Sequence, residues 1–210
     1  MRKFIPEKIS IIIPTLNEEN NIVILISEII SEMKEKDYEI IIVDDGSTDS
    51  TVNNILEKFD KNEKVRLFQR QSDKGLVQSI KFGLQSMTGE YFVVMDGDRQ
   101  HSASEINYLI NELKANDLVI GVRNLKKLDV ISAKRLFLSK FFNKFLQLIL
   151  STNISDPLTG FFAGKVSLLN KKFFLLANSG FKVLLDLIFS NKKKKIKIIE
   201  KEIKFESRTD

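Results

Sequence analysis

Tyr91-Phe92-Val93-Val94-Met95-Asp96-Gly97-Asp98-Arg99-Gln100-His101 begins as a short apolar run and ends in two carboxylates spaced i, i+2. Such a run is the signature of a buried strand. On a continuing strand the two aspartates would share a face. At a strand end, Gly97 between them lets the chain turn and aim both at one point. With an amide oxygen from Gln100, Asp96 and Asp98 make a hard oxygen set that suits Mg²⁺ or Mn²⁺ and leaves positions open for water or phosphate. An acidic turn closing a strand is the plain alternative for the same residues.

Outward from this stretch the chain alternates strand and helix. Ile9-Ser10-Ile11-Ile12-Ile13, Glu39-Ile40-Ile41-Ile42-Val43, Lys64 to Arg70, Glu90 to Met95, Asp117 to Val122 and Ile196 to Phe205 read as strands. Between the first two, Ile22, Leu25, Ile26, Ile29, Ile30 and Met33 recur at helical spacing. Thr51 to Phe59, Gly75 to Met87, Ser104 to Lys114, Leu136 to Leu150 and the region near Gly180 to Ser190 also read as helices. Asp156-Pro157-Leu158-Thr159-Gly160-Phe161-Phe162 reads as a turn-rich break. Near-continuously apolar strands alternating with helices predict an α/β fold with a mostly parallel sheet covered on both faces. Ligands of such sheets sit beyond the carboxyl ends of the strands. Pro14 to Glu18, Asp44 to Asp49 and Asp96 to Gln100 all fall at such ends.

The totals narrow the chemistry. With 210 residues, 43% of them hydrophobic and 29% charged, the chain is one domain with a real core. Without cysteine it has no disulfide, zinc thiolate or thiol nucleophile. A single His rules out multi-His metal sites and histidine triads. No signal peptide is evident, and no uninterrupted apolar stretch approaches the ~20 residues of a membrane span. The net charge of +5 is concentrated around Lys192-Lys193-Lys194-Lys195, which reads as a solvated face or a contact for anionic headgroups. Leu136 to Leu150 reads as a core helix or one resting on a membrane surface. No nucleic-acid module is present.

Pro14-Thr15-Leu16-Asn17-Glu18, Val43-Asp44-Asp45-Gly46-Ser47-Thr48-Asp49, Lys74-Gly75 and Asp96-Gly97-Asp98-Arg99-Gln100-His101 together resemble glycosyltransferase family 2, whose members have a nucleotide-sugar-binding fold of the GT-A type. Gly121-Val122-Arg123, Arg135 with Ser139 and Asn143, the stretch from Asp156 to Phe162, and Phe205-Glu206-Ser207-Arg208 resemble its dolichyl- and polyprenyl-phosphate mannosyltransferase branch. The resemblance implies one catalytic domain, with a nucleotide-sugar-binding half at 1–100 and an acceptor-binding half at 101–210. It implies that Pro14, Thr15, Asn17, Glu18, Asp44, Asp45 and Ser47 line the nucleotide and that Lys74 lies near the diphosphate. Asp96, Asp98 and Gln100 would bind the metal, Mn²⁺ or Mg²⁺. Arg123, Arg135, Arg208 and Ser139 would hold the acceptor phosphate.

The implied reaction is inverting transfer of a hexose, by default mannose from GDP-mannose with UDP-glucose as the other donor, onto a polyprenyl or dolichyl phosphate. The implied location is the cytoplasmic face of a membrane, at its periphery or beside a membrane-embedded partner subunit. Two other readings fit the same residues: transfer to a sugar hydroxyl with Asp156 as base, or a non-catalytic nucleotide-sugar-binding subunit. Two features depart from the branch. Arg99 stands where an apolar residue is usual, and relatives continue past the position of Arg208 with a Gly-x-Ser-Lys stretch and often membrane helices, whereas this sequence ends at Asp210.

Overall fold

The structure, a computed structural model, describes residues 8–123, 154–156, 159–176 and 183–203, with Arg123 described by its backbone alone. In chain order the elements are β1 (Ile9–Thr15), α1 (Ile22–Glu32), β2 (Tyr38–Asp44), α2 (Thr51–Phe59), β3 (Val65–Gln69), α3 (Leu76–Ser86) and β4 (Tyr91–Val94). Then follow α4 (Ser104–Glu112), β5 (Leu118–Arg123), β6 (Phe162–Lys165), α5 (Lys171–Leu176), α6 (Val183–Ser190) and β7 (Ile198–Ile203). The strands form one seven-stranded sheet in the order β3-β2-β1-β4-β6-β5-β7.

Period-two alternation divides the apolar strand residues between two layers. Ile9, Ile11 and Ile13 of β1, Ile40 and Ile42 of β2 and Val93 of β4 face α1, α2 and α4, packing on Leu25, Ile26, Ile29, Ile55 and Ile106. Ile12, Phe92, Val94, Leu118, Ile120 and Phe162 face the other way, onto Ile80, Leu84, Leu184 and Ile188 of α3 and α6. Burial on both faces is why β1 and β2 read as unbroken apolar runs. Each fully buried Ile or Leu contributes roughly 1.5–3 kcal/mol relative to exposure.

Polar residues inside this frame are matched. Ser10 of β1 donates to Glu39 Oε1 of β2 at 2.6 Å, and that oxygen also accepts the Thr88 backbone N–H at 2.6 Å. Arg66 Nη1 meets Glu39 Oε2 at 2.7 Å. Burial alone would raise the Glu39 carboxyl, but these donors outweigh it and hold the group down at about 2.

β6 corrects the sequence reading. The stretch expected to break the chain and lead into further helix instead enters a strand that pairs antiparallel with both β4 and β5. Phe162-Ala163-Gly164-Lys165 is too short and too rich in small residues to show a strand period; it is a strand because β4 and β5 leave it a slot. β4 and β5 are both antiparallel to β6, and β7 is parallel to β5, so β5 and β7 run in the direction of β1, β2 and β4. The helix expected over Leu136 to Leu150 lies outside the described residues.

Candidate active site

The carboxyl ends of β1, β2 and β4 come together through register and loop hydrogen bonds. Thr15 pairs with Asp44. Asp45 N–H donates to the Thr15 carbonyl at 2.9 Å, and Met95 N–H to that of Ile12 at 3.1 Å. Beyond these ends lies a cleft of about 310 Å³, lined by Pro14, Thr15 and Glu18 after β1, Asp45 after β2, and Asp96 and Asp98 after β4. Leu16 and Leu76 also line it while 52% and 48% exposed, as apolar walls of a ligand site would be.

Residues expected at the nucleotide also hydrogen-bond the loops to one another. Asp44 is 1% exposed. Its Oδ1 accepts Gly46 N–H and Ser47 N–H, both at 3.1 Å, and its Oδ2 accepts the Ser47 hydroxyl. The Asp44 carboxylate thus braces its own loop, and Asp45, expected beside it at the nucleotide, lines the cleft. Asn17, left-handed at φ 55°, stitches the loops by donating its N–H to Ser47 Oγ at 2.9 Å and accepting Thr48 N–H at 2.9 Å. Glu18 N–H donates to Thr51 Oγ1 at 2.8 Å. Asp49 Oδ1 accepts Thr51 N–H at the start of α2, and its Oδ2 accepts Glu19 N–H.

Arg70, which sequence reasoning passed over, organises the surroundings of Asp45. Its guanidinium meets Asp45 Oδ1 at 3.0 Å and donates to Ser79 Oγ at 3.1 Å and to the carbonyls of Ser72 and Asp73. Asp45 Oδ2 accepts Gly75 N–H at 2.5 Å. Arg70 thus clasps the segment carrying Lys74, whose ammonium lies over Gly46: a Cβ there would sit 2.1 Å from Lys74 Nζ. The available signal was a basic residue at a strand end facing an acidic loop.

The Asp96-Gly97-Asp98 turn is backed by the β6 entry. Asp96 packs against Gly160, where a Cβ would meet its Oδ2 at 2.3 Å. His101 is buried and stacks on Phe161 with centroids 4.8 Å apart. Thr159 Oγ1 donates to the Gly121 carbonyl at 3.0 Å and accepts Phe161 N–H. Asp98 Oδ1 accepts Gln100 N–H at 3.1 Å. Gln100 thus contributes a backbone donor, and its side chain is not part of the cleft wall. Among the described residues no three His, Cys, Asp or Glu side chains cluster as a ready-made metal cage. Two carboxylates at an open cleft still suit Mg²⁺ or Mn²⁺, which commonly take one or two carboxylates plus phosphate oxygens and water.

Asp156 is not among the residues lining the cleft, and its N–H lies 3.4 Å from Glu200 Oε1 of β7. Arg123 ends β5 in register with Ile203, so its backbone reaches the same sheet edge as the cleft. Arg135, Ser139 and Arg208 lie outside the described residues.

Residues 10–173 match the family described as Glycosyl transferase family 2. The chain belongs to that family. It is 34% identical over 194 residues to the dolichol-phosphate mannosyltransferase of Pyrococcus furiosus, a match covering 90% of this chain and 54% of that protein. It is 29% identical over 171 residues to the dolichyl-phosphate beta-glucosyltransferase of Dictyostelium discoideum, covering 73% of this chain and 52% of the relative. This member thus spans about half the length of those relatives. Glucosyl-3-phosphoglycerate synthase from Mycobacterium tuberculosis, solved in complex with Mn²⁺, uridine diphosphate and phosphoglyceric acid, superposes with a TM-score of 0.70 at 19% identity over 97% of this chain and 71% of that one. That likeness establishes the fold as the GT-A type expected from the motifs.

Proposed function

We propose that this family 2 chain transfers a hexose from a nucleotide sugar to a polyprenyl or dolichyl phosphate. The observation that carries the reading is the meeting of Asp96 and Asp98 with Pro14, Thr15, Glu18 and Asp45 around one cleft, on the edge toward which β5 and β7 also run. The two relatives named for dolichyl-phosphate acceptors support the acceptor class, and the more similar of them is named for mannose transfer, which supports mannose as the sugar moved.

The nucleotide enters over Pro14 to Leu16, with Leu16 and Leu76 as its apolar walls. Asp96 and Asp98 would hold a divalent cation, which when bound supplies positive charge to the departing diphosphate. Lys74, beside Gly46, would add a cation near the diphosphate. A lipid phosphate is already charged near neutral pH, with a second ionisation near ~6, and needs no general base. One of its oxygens attacks the anomeric carbon in line, the bond from that carbon to the diphosphate oxygen breaks, and the configuration inverts. Holding the two reactants in that geometry is the chief task of the protein. Arg123, Arg135 and Arg208, with Ser139, are the proposed acceptor clamp, because guanidinium forks match phosphate oxygens. Asp156, tethered beside Glu200, has no proton to remove in this reaction.

Among the described residues no helix is long and apolar enough to cross a membrane. The lysine run precedes β7 and so sits at the amino edge of the sheet, opposite the cleft. Contact with the acceptor's membrane therefore falls to the carboxyl edge rather than to Lys192–Lys195.

The test is incubation of the purified protein with Mn²⁺, GDP-mannose or UDP-glucose, and a short polyprenyl phosphate together with a glycan acceptor. Sugar on the lipid phosphate supports the proposal. Sugar found only on a glycan hydroxyl, or donor binding without turnover, overturns it.

A further inference from the structure

We propose that Arg99, through its ion pair with Glu28 of α1, is a positioning residue that sets the aim of Asp98 into the cleft. The inference rests on the reading of Asp98 as a metal-binding carboxylate. Arg99 lies between Asp98 and Gln100, and its backbone is left-handed at φ 59°. A side chain of this kind keeps that conformation only where its surroundings impose it. Here the surroundings are identifiable. Arg99 Nη2 meets Glu28 Oε1 at 2.9 Å. The guanidinium lies in a separate groove of about 200 Å³ between α1 and the start of α4, bordered by Glu28, Ser102 and Ser104. Asp98 lines the cleft, and Arg99 lines this other groove.

The helix that carries Glu28 is anchored in the core, with Ile22, Leu25, Ile26 and Ile29 fully buried. Asn107 of α4 locks the end of that helix by donating to the Glu32 carbonyl at 3.2 Å and accepting from Lys36 Nζ at 2.6 Å. On the far side of the turn, His101 is fixed by its stack on Phe161. The turn is therefore pinned at His101 by the core and at Arg99 by α1, with Asp98 and Gln100 beside the second pin. Arg99 Nε is buried without a hydrogen-bond partner among the described residues, a cost that a solvent-seeking surface arginine would avoid. The pair is 28% and 41% exposed. It therefore adds little to global stability, and its effect is local.

Three variants test the strap: Arg99→Asn, which tolerates the left-handed backbone but removes the cation; Glu28→Gln; and the reversed pair Arg99→Glu with Glu28→Arg. Mn²⁺ binding is measured by electron paramagnetic resonance with GDP present, alongside thermal melting and amide hydrogen exchange of the metal-free protein. The single variants should weaken Mn²⁺ binding about tenfold, as loss of a group that orients a metal ligand does, with melting unchanged and the reversed pair restoring most of the affinity. Exchange at 97–101 should quicken in both single variants. Mn²⁺ affinity within about twofold of the parent in both would overturn the proposal. If the parent itself binds no Mn²⁺, the metal reading fails, and the exchange result alone decides the strap: unchanged protection at 97–101 sinks it, faster exchange upholds it.

Discussion

Asp98 and Gly160 carry the most at the scale of single residues. Asp98 lines the cleft while, among the described residues, only one of its oxygens is tied into the Gln100 turn, so its removal costs the fold little. Asp98→Ala should lower turnover by about 10²–10³-fold, the scale of losing one electrostatic contributor to a transition state, with the melting temperature nearly unchanged. Full activity in that variant would remove the metal role. Gly160 acts by being small. Its missing Cβ leaves the space that the Asp96 carboxylate fills, with Oδ2 at 2.3 Å from where that carbon would be. Gly160→Ala should displace Asp96 and depress donor binding more than stability, which calorimetry with GDP and Mn²⁺ would resolve from a melting curve. Asp44 shows the opposite case. It stands out in the sequence as an acidic group at a strand end, yet Gly46 and Ser47 absorb its carboxylate.

Among the elements, β6 is where sequence reading and structure part. β1, β2 and β4 are buried on both faces and so announce themselves as apolar runs. β6 has four residues, two of them Ala163 and Gly164, and no period to detect. Its position between β4 and β5 is set by hydrogen bonds to strands distant in sequence, information that no local window contains. Packing there is tight: a Cβ on Gly164 would fall 2.5 Å from the Phe92 ring, itself edge-on to Phe162 with centroids 6.3 Å apart. Gly164→Ala should therefore destabilise the protein by about 1–3 kcal/mol through overpacking, measurable by urea unfolding. A neutral result would mean that the Phe92 ring has room to move.

For the whole molecule, Glu39 contributes to acid stability, because it ties β1, β2, β3 and the segment before β4 together through Ser10, Arg66 and Thr88. Its carboxyl sits at about 2 when folded against an ordinary 4.5. The unfolded chain thus takes up this proton first as pH falls. The stabilisation is complete above about 4.5 and drains away toward 2. Glu39→Ala should cost roughly 3 kcal/mol near neutrality by leaving buried donors and a cation unpaired. It should also flatten the dependence of the urea midpoint on pH across that window; an equally steep profile in the variant would place the acid sensitivity elsewhere.

The sequence alone determined the alternation of strand and helix, the largely parallel sheet, the family and the strand ends where the polar loops gather. Those properties are local: burial on both faces leaves apolar runs, and turn chemistry leaves Asp, Gly and Ser at fixed spacings. Only the tertiary structure decided which carboxylates face the cleft, that Arg70 braces the Lys74 segment, and that Arg99 reaches to α1. It also put the lysine run at the edge opposite the cleft. Each of these depends on a donor, a register or a crossover supplied by residues far along the chain, and a side chain's aim is fixed by whichever distant partner claims its polar atoms.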